Sequence, residues 1–203
     1  MVSMPSSGQD EASIRLTDEQ IRQVTIGELK PFNSQITLVE YDPQWPAQFD
    51  REAKRIQAAL GPRALQIEHI GSTSVPSLIA KPVIDILLVV ADSSDESSYV
   101  PALEAAGYIL RIREPNWHQH RLFKGPDTNL GLHVFSKGSE EIDRHVIFRN
   151  WLRENAKDRE LYAERKRELA GREWRYVQNY ADAKSEVISR ILSNARAAAT
   201  KAE

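Results

Sequence analysis

Residues 83 to 90 read Val-Ile-Asp-Ile-Leu-Leu-Val-Val, an apolar run interrupted once, by Asp85. A strand covered on both faces has this composition, because a strand with one wet face alternates polar and apolar residues instead. The run therefore demands structural layers above and below its sheet. Asp85 needs a reason of its own, since a carboxylate taken out of water without a partner costs several kcal/mol. Two kinds of partner fit the spacing. One is a divalent cation held between the carboxylate and a substrate's oxygens. The other is a buried ion pair with Lys81 or Arg121.

Just upstream, Glu68-His69-Ile70-Gly71-Ser72-Thr73-Ser74-Val75-Pro76 carries an expected strand into a glycine and three hydroxyl residues. Such a turn suits phosphate: glycine lets the backbone approach an anion closely, successive N–H groups form a concave nest, and hydroxyls add donors. The same letters also spell an ordinary turn or helix cap. Lys81, Arg121 and Lys124 are cations able to neutralise phosphate, and arginine is shaped to grip it with two bonds. In His118-Gln119-His120-Arg121, an extended strand sends both imidazoles to one face and Arg121 to the other. His133 belongs to the next expected strand. If the two strands pair beside the Asp85 strand, His118 or His120, His133 and Asp85 converge as a mixed imidazole and carboxylate site. Hydrogen-bonded or solvated histidines are the alternative.

The 203 residues suit one domain over 34–195, with a partly disordered arm over 1–33 and a frayed tail over 196–203. Within the arm, Thr17 followed by Asp18 and Glu19 starts a short helix. Ile36 to Val39 reads as a strand, and Phe49, Ala53, Ile56, Ala59 and Leu60 as a helix stopped by Gly61-Pro62. Further strands are expected over 65–70, from Tyr108, over 118–123 and over 131–135, with a helix over 99–106. From Ile142 onward the pattern is helical, with a last helix from Trp174. There is no cysteine, so thiol nucleophiles, thiolate metal sites and disulfides are excluded. The 27 basic and 29 acidic residues leave a formal charge of −2, so no global field draws the chain to nucleic acid or an anionic membrane. No apolar run reaches the roughly 20 residues of a spanning helix, and a cytoplasmic protein is expected. Oligomeric state stays open.

The blocks His69-Ile70-Gly71-Ser72-Thr73-Ser74-Val75-Pro76, Ala80-Lys81-Pro82 and Ile84-Asp85-Ile86 resemble the signature of the GrpB family. Trp117-His118, His120-Arg121, Leu132-His133-Val134, Arg144-His145, Phe148-Arg149, and Tyr180 with Ala183-Lys184 fall where that family's pattern has them. The resemblance spans about Ile36 to Leu192. It implies an α+β, nucleotidyltransferase-like fold: a small mixed β-sheet flanked by helices, with a helical C-terminal region. It also implies that Gly71 and Ser72 hold triphosphate while Asp85 binds the metal; with the residue-level reading, the expected phosphate-binding set is Gly71, Ser72, Thr73, Ser74, Lys81, His118, His120 and Arg121. Asp85, His133 and His69 then carry the chemistry, and Asp85 with His133 binds a divalent metal, Mg²⁺ or Mn²⁺.

One departure weakens the nucleotide-transfer reading. The superfamily's strand bears two alternating carboxylates, and the second position is Leu87 here, while a later acidic position falls at or near His133. Three functions stay open: a metal-dependent transferase moving a nucleotidyl group from NTP to a small molecule, the same fold put to another reaction in small-molecule biosynthesis through an Asp/His pocket, or a non-catalytic nucleotide- or phosphate-binding module. The expected partner is a small molecule, with no nucleic acid and no membrane.

Overall fold

A computed structural model of the chain describes residues 16–200. The first fifteen residues of the expected arm and residues 201–203 of the expected tail lie outside that range. In chain order the elements are α1 (Asp18–Val24), α2 (Trp45–Leu60), β1 (Gln66–Ile70), β2 (Ile84–Val90), α3 (Val100–Ala105), β3 (Ile109–Glu114) and β4 (His120–Lys124). They continue with β5 (Leu130–Ser136), α4 (Glu140–Glu154), α5 (Ala156–Ala170), α6 (Val177–Asp182) and α7 (Ser185–Thr200).

The apolar run becomes β2, and the five strands form one sheet in the order β1-β2-β5-β4-β3. Strands β2 and β5 pair in parallel, and the other three pairings are antiparallel. Both faces of β2 are covered, as its composition requires. Ile84, Ile86, Leu88 and Val90 face Trp45, Ile56 and Leu60 of α2 and Leu103 of α3. Leu87 and Val89 face the other way, against Ile70, Phe135 and the α4 residues Ile142 and Val146. Asp85 shares this second face because strand side chains alternate. A mixed sheet flanked by helices, with a helical C-terminal region, is the architecture expected.

Helix α2 starts with Pro46 in its first turn, where a missing N–H costs nothing, and ends at Gly61 with φ 57°. Thr17 caps α1 through a reciprocal bond with Gln20, as the sequence indicated. The C-terminal helices clamp the segment between the glycine turn and β2: Val75, Leu78 and Ile79 pack on Leu152, Tyr162 and Ile191. That contact fixes the turn against the strand that carries Asp85.

Four expectations need correction. Ile36 to Val39 is no strand; Val39 makes a single bridge with Ala80, and the Ile36 amide bonds the Ala170 carbonyl. Its neighbours are a loop and a helix end, so no sheet edge is available to extend. Strand β4 starts at His120, because His118 and Gln119 adopt left-handed φ values of 49° and 52°. The last helix is two helices, broken at Ala183–Lys184. Helix α7 then runs to Thr200, beyond the expected boundary at residue 195.

Leu132 on β5 is fully buried between neighbouring strands and the α2 layer. Leu132→Ala is expected to destabilise the chain by about 2–5 kcal/mol, read as a lower urea midpoint with an unchanged far-ultraviolet spectrum.

Candidate functional site

Asp85 sits near the start of β2, opposite Ile70 on β1 and Gly131 on β5. Both neighbours bear on it. Gly71 follows Ile70 with φ 69° and ψ −174°, a conformation open almost only to glycine. A Cβ there would lie 2.3 Å from Asp85 Oδ2, and one at Gly131 would lie 3.2 Å from Oδ1. The two glycines thus hold the backbone tightly around a carboxylate whose side chain is still 35% exposed.

The three hydroxyls after Gly71 divide their work. Ser74 donates to the Gly71 carbonyl at 2.6 Å, and Thr73 donates to the Val83 carbonyl at 3.1 Å. Both are buried and hold the turn in shape. Ser72 stays half-buried, with its side chain against the buried Tyr162 hydroxyl. Of the three, Ser72 is the hydroxyl a ligand can reach.

Lysines surround the carboxylate. Lys81, Lys124, Lys166 and Lys184 all lie close enough to feel its charge. Burial lowers the pKa of Lys184 to about 8, although Asp85 acts to raise it, and its Nζ stands 4.4 Å above the Tyr180 ring. Burial likewise draws Lys166 well below the ordinary lysine value, and its ammonium donates to the Ile79 carbonyl. For Asp85 itself, burial pushes the carboxyl up, but His133, Lys124 and Lys184 outweigh it and the net shift is downward. The Tyr180 hydroxyl is buried with no hydrogen-bond partner among the described residues.

From Asp85 a line of titratable groups crosses the sheet. Asp85 Oδ1 lies 3.8 Å from His133 Nε2, His133 Nδ1 lies 3.1 Å from His120 Nε2, and His120 Nδ1 lies 2.6 Å from Glu114 Oε2. His120 is packed between aromatic rings, stacked on Phe135 at 4.8 Å and edge-on to Trp117 at 5.3 Å. Burial holds it well below the usual histidine pKa and pushes Glu114 up. His145 on α4 stands 6.0 Å from the His133 ring, and burial lowers its pKa to about 3.

Of the residues singled out from the sequence, the fold brings together Gly71, Ser72, Lys81, Asp85, His120 and His133. Lys124 joins them and Thr73 and Ser74 brace the turn, but His69, Arg121 and His118 stand elsewhere. Strand register places His69 opposite Ile86, on the α2 face. There it stacks on Phe49 at 4.8 Å, lines a cavity of about 320 Å³ with Tyr41, Arg149 and Arg153, and has a pKa lowered by burial to about 4. Its Nε2 bonds Thr73 Oγ1, whose own proton goes to Val83, so the imidazole is the donor. Arg121 also takes the opposite face. It is buried, with Nε 2.6 Å from Glu96, and meets neither Asp85 nor a phosphate position. His118 is exposed in its left-handed turn rather than paired with His120 on a strand face. Lys166, Tyr162, Glu114 and the placement of Lys184 were not legible, since helical and edge-strand positions give no sign of which residue reaches a distant strand.

The donor set does not fit a resident divalent metal. Among the described residues no three His, Asp or Glu side chains converge as ligands. Asp85 and His133 are the two donors there, and His133 bonds His120 through its other nitrogen. Leu87, at the position of the absent second carboxylate, is fully buried against Val89 and Phe135. Among the described residues, Asp85 and His133 therefore offer two donors and no closed ligand set.

A five-stranded mixed sheet flanked by helices, with a glycine turn packed on a strand carboxylate, defines an α+β domain. By sequence the chain belongs to the GrpB family, whose model, described as GrpB protein, matches residues 35–194. A UPF0157 protein of Halalkalibacterium halodurans is 62% identical over 194 residues, covering 96% of this chain and all of the relative. A crystal structure of the conserved protein GrpB from Enterococcus faecalis aligns with a TM-score of 0.67 and 34% identity, over 78% of this chain and 96% of that one. A protein of Mycobacterium bovis described as dephospho-CoA kinase is 31% identical over 153 residues, which cover 62% of this chain and 37% of its own length. No helix among the described residues is long and apolar enough to cross a membrane.

Gly71→Ala is expected to cost about 1–3 kcal/mol in backbone strain, seen as a lower melting temperature.

Proposed function

We propose that the chain is an enzyme acting on a phosphate-bearing small molecule. Phosphate oxygens are received by Lys81, Lys124 and Lys184 and by the Ser72 hydroxyl, and Asp85 takes the proton from the group that attacks. The observation that carries this reading is the convergence of four lysines on one part-exposed carboxylate that two glycines hold in place. Attraction to an anion follows from the lysines. Their partial desolvation strengthens each charge interaction, because fewer water dipoles screen it. The unpartnered Tyr180 hydroxyl supplies a further donor. Support also comes from the mycobacterial relative, in which a stretch like this chain shares a polypeptide described as dephospho-CoA kinase.

A nucleoside triphosphate is the particular substrate favoured by the Gly71-Ser72 turn and the family it resembles. The acceptor's oxygen or nitrogen would attack the α-phosphorus, Asp85 would accept its proton, and pyrophosphate would leave among the lysines. Leu87 and the two-donor set weigh for a different reaction at the same anion site. Calorimetry separates the readings. ATP and tripolyphosphate binding, each measured with and without Mg²⁺, is expected, and weakens tenfold or more in Lys184→Met. If neither ligand binds under any condition, the anion reading fails; if tripolyphosphate binds and ATP does not, nucleotidyl transfer fails alone.

The lowered pKa of Lys184 sets a direction with pH. Its folded value of about 8 lies below the ordinary 10.5, so between those limits the folded chain holds fewer protons than the unfolded one. Stability therefore rises with pH across that window. Anion affinity moves oppositely, falling as pH passes about 8 and the ammonium is lost. Tripolyphosphate titrations from pH 6.5 to 9.5 are expected to show that fall, and Lys184→Met flattens it.

A further inference from the structure

Four consecutive strands of the sheet each contribute one titratable group to a single line: Asp85 from β2, His133 from β5, His120 from β4 and Glu114 from β3. Register explains the alignment. His133 pairs with Leu87, two residues beyond Asp85 on the same face, and with Leu122, two residues beyond His120, while Glu114 pairs directly with His120. Side chains two apart share a face, so all four project to the side covered by α4.

We infer that Asp85, His133, His120 and Glu114 form a proton relay across the sheet, in which Glu114 and His120 are positioning residues that set the tautomer of His133. The inference deepens the proposed reading of Asp85 as a proton-transferring group. Hydrogen-bond logic fixes the arrangement of protons. A neutral imidazole has one donor nitrogen and one acceptor. With Asp85 ionised, the His133 Nε2 facing it carries a proton, so His133 Nδ1 accepts from His120 Nε2–H. His120 Nδ1 is then an acceptor, and the Glu114 oxygen 2.6 Å away must bring the proton. Burial, which pushes the Glu114 carboxyl up, favours that acid form.

The line thus holds three protons and one negative charge. Moving each proton one place converts the resting state to its mirror. The Glu114 O–H bond breaks as His120 Nδ1–H forms, His120 Nε2–H breaks as His133 Nδ1–H forms, and His133 Nε2–H breaks as Asp85 O–H forms. Asp85 changes from base to acid and Glu114 becomes the carboxylate, with no proton taken from bulk water. The 3.8 Å separation at Asp85 is the single open link, longer than a hydrogen bond of about 2.9 Å. Closure of such a link on substrate binding is ordinary in catalytic sites.

The surroundings suit proton transfer rather than fixed charge. Trp117 and Phe135 cover His120. His145 faces His133 from α4, part-buried and neutral at pH 7. Lys81, Lys124, Lys166 and Lys184 act on Asp85, and these cations favour the resting state with its charge at Asp85, while Arg121 acts on His120.

Nuclear magnetic resonance on the full chain tests this without any substrate, using ¹⁵N-labelled histidine and ¹³C-labelled glutamate. At pH 7 both His120 and His133 are expected neutral and in the Nε2–H tautomer, with Glu114 protonated. Glu114→Gln, which can still donate to His120 Nδ1, keeps both tautomers. Glu114→Ala loses them, giving mixed tautomers at His120 and, one ring further on, at His133, while His145 is unmoved. A cationic ring at pH 7, opposite tautomers on the two rings, or an unchanged His133 in Glu114→Ala would overturn the relay. If Glu114→Ala does not fold, the wild-type tautomers and Glu114→Gln still decide. Fixed tautomers in a chain that binds no tripolyphosphate support the relay and reject the proposed function of the site.

Discussion

Asp85 is an anion placed inside an apolar strand, and the structure around it is organised by the need to satisfy that charge. Two glycines press backbone against the carboxylate, four lysines supply positive charge, and a histidine stands at ion-pair distance. Each lysine comes from a different part of the chain: the loop before β2, the end of β4, the middle of α5 and the turn between α6 and α7. The helical C-terminal region therefore does more than cover one face of the sheet. By packing on Val75, Leu78 and Ile79 it aims Lys166, Lys184 and Tyr162 at the start of β2.

Those lysines are partly desolvated, and their pKa values fall in consequence. Clustered cations repel one another, and a single carboxylate does not neutralise four of them. The cluster is thus held short of its best electrostatic state by the rigidity of the helices that carry it. The anion proposed as ligand would relieve that repulsion. The absence of a second carboxylate at Leu87 belongs to the same logic. An added acid there would stand in a dry cluster of Ile70, Val89 and Phe135, where its charge would have no partner.

The two faces of the sheet have separate roles that only register reveals. On the α2 side, Arg121, Arg113 and Glu96 form an ion-paired group, while His69 and Thr73 brace the glycine turn from behind. On the α4 side stand Asp85, His133, His120 and Glu114. Residues adjacent in sequence, such as His120 and Arg121, are divided between these environments by nothing more than the two-residue period of a strand.

Much of the fold was legible in the sequence. The apolar run marked a strand covered on both faces, Gly61-Pro62 marked a helix end, and Thr17 marked a cap, because these signals depend on neighbours within a few residues. The Gly71 to Asp85 block, with the later motifs, was enough to indicate the family. Short-range letters failed where distant partners decided: Ile36 to Val39 has strand composition but no edge to join, and His118 was read as extended although a left-handed turn precedes β4. Sequence thus determined that Asp85 needed a partner and that a glycine turn stood beside it. Which partners it found was settled by tertiary structure alone, since strand order and register bring His133, His120 and Glu114 into line, and helix packing delivers Lys166 and Lys184 from about 80 to 100 residues away.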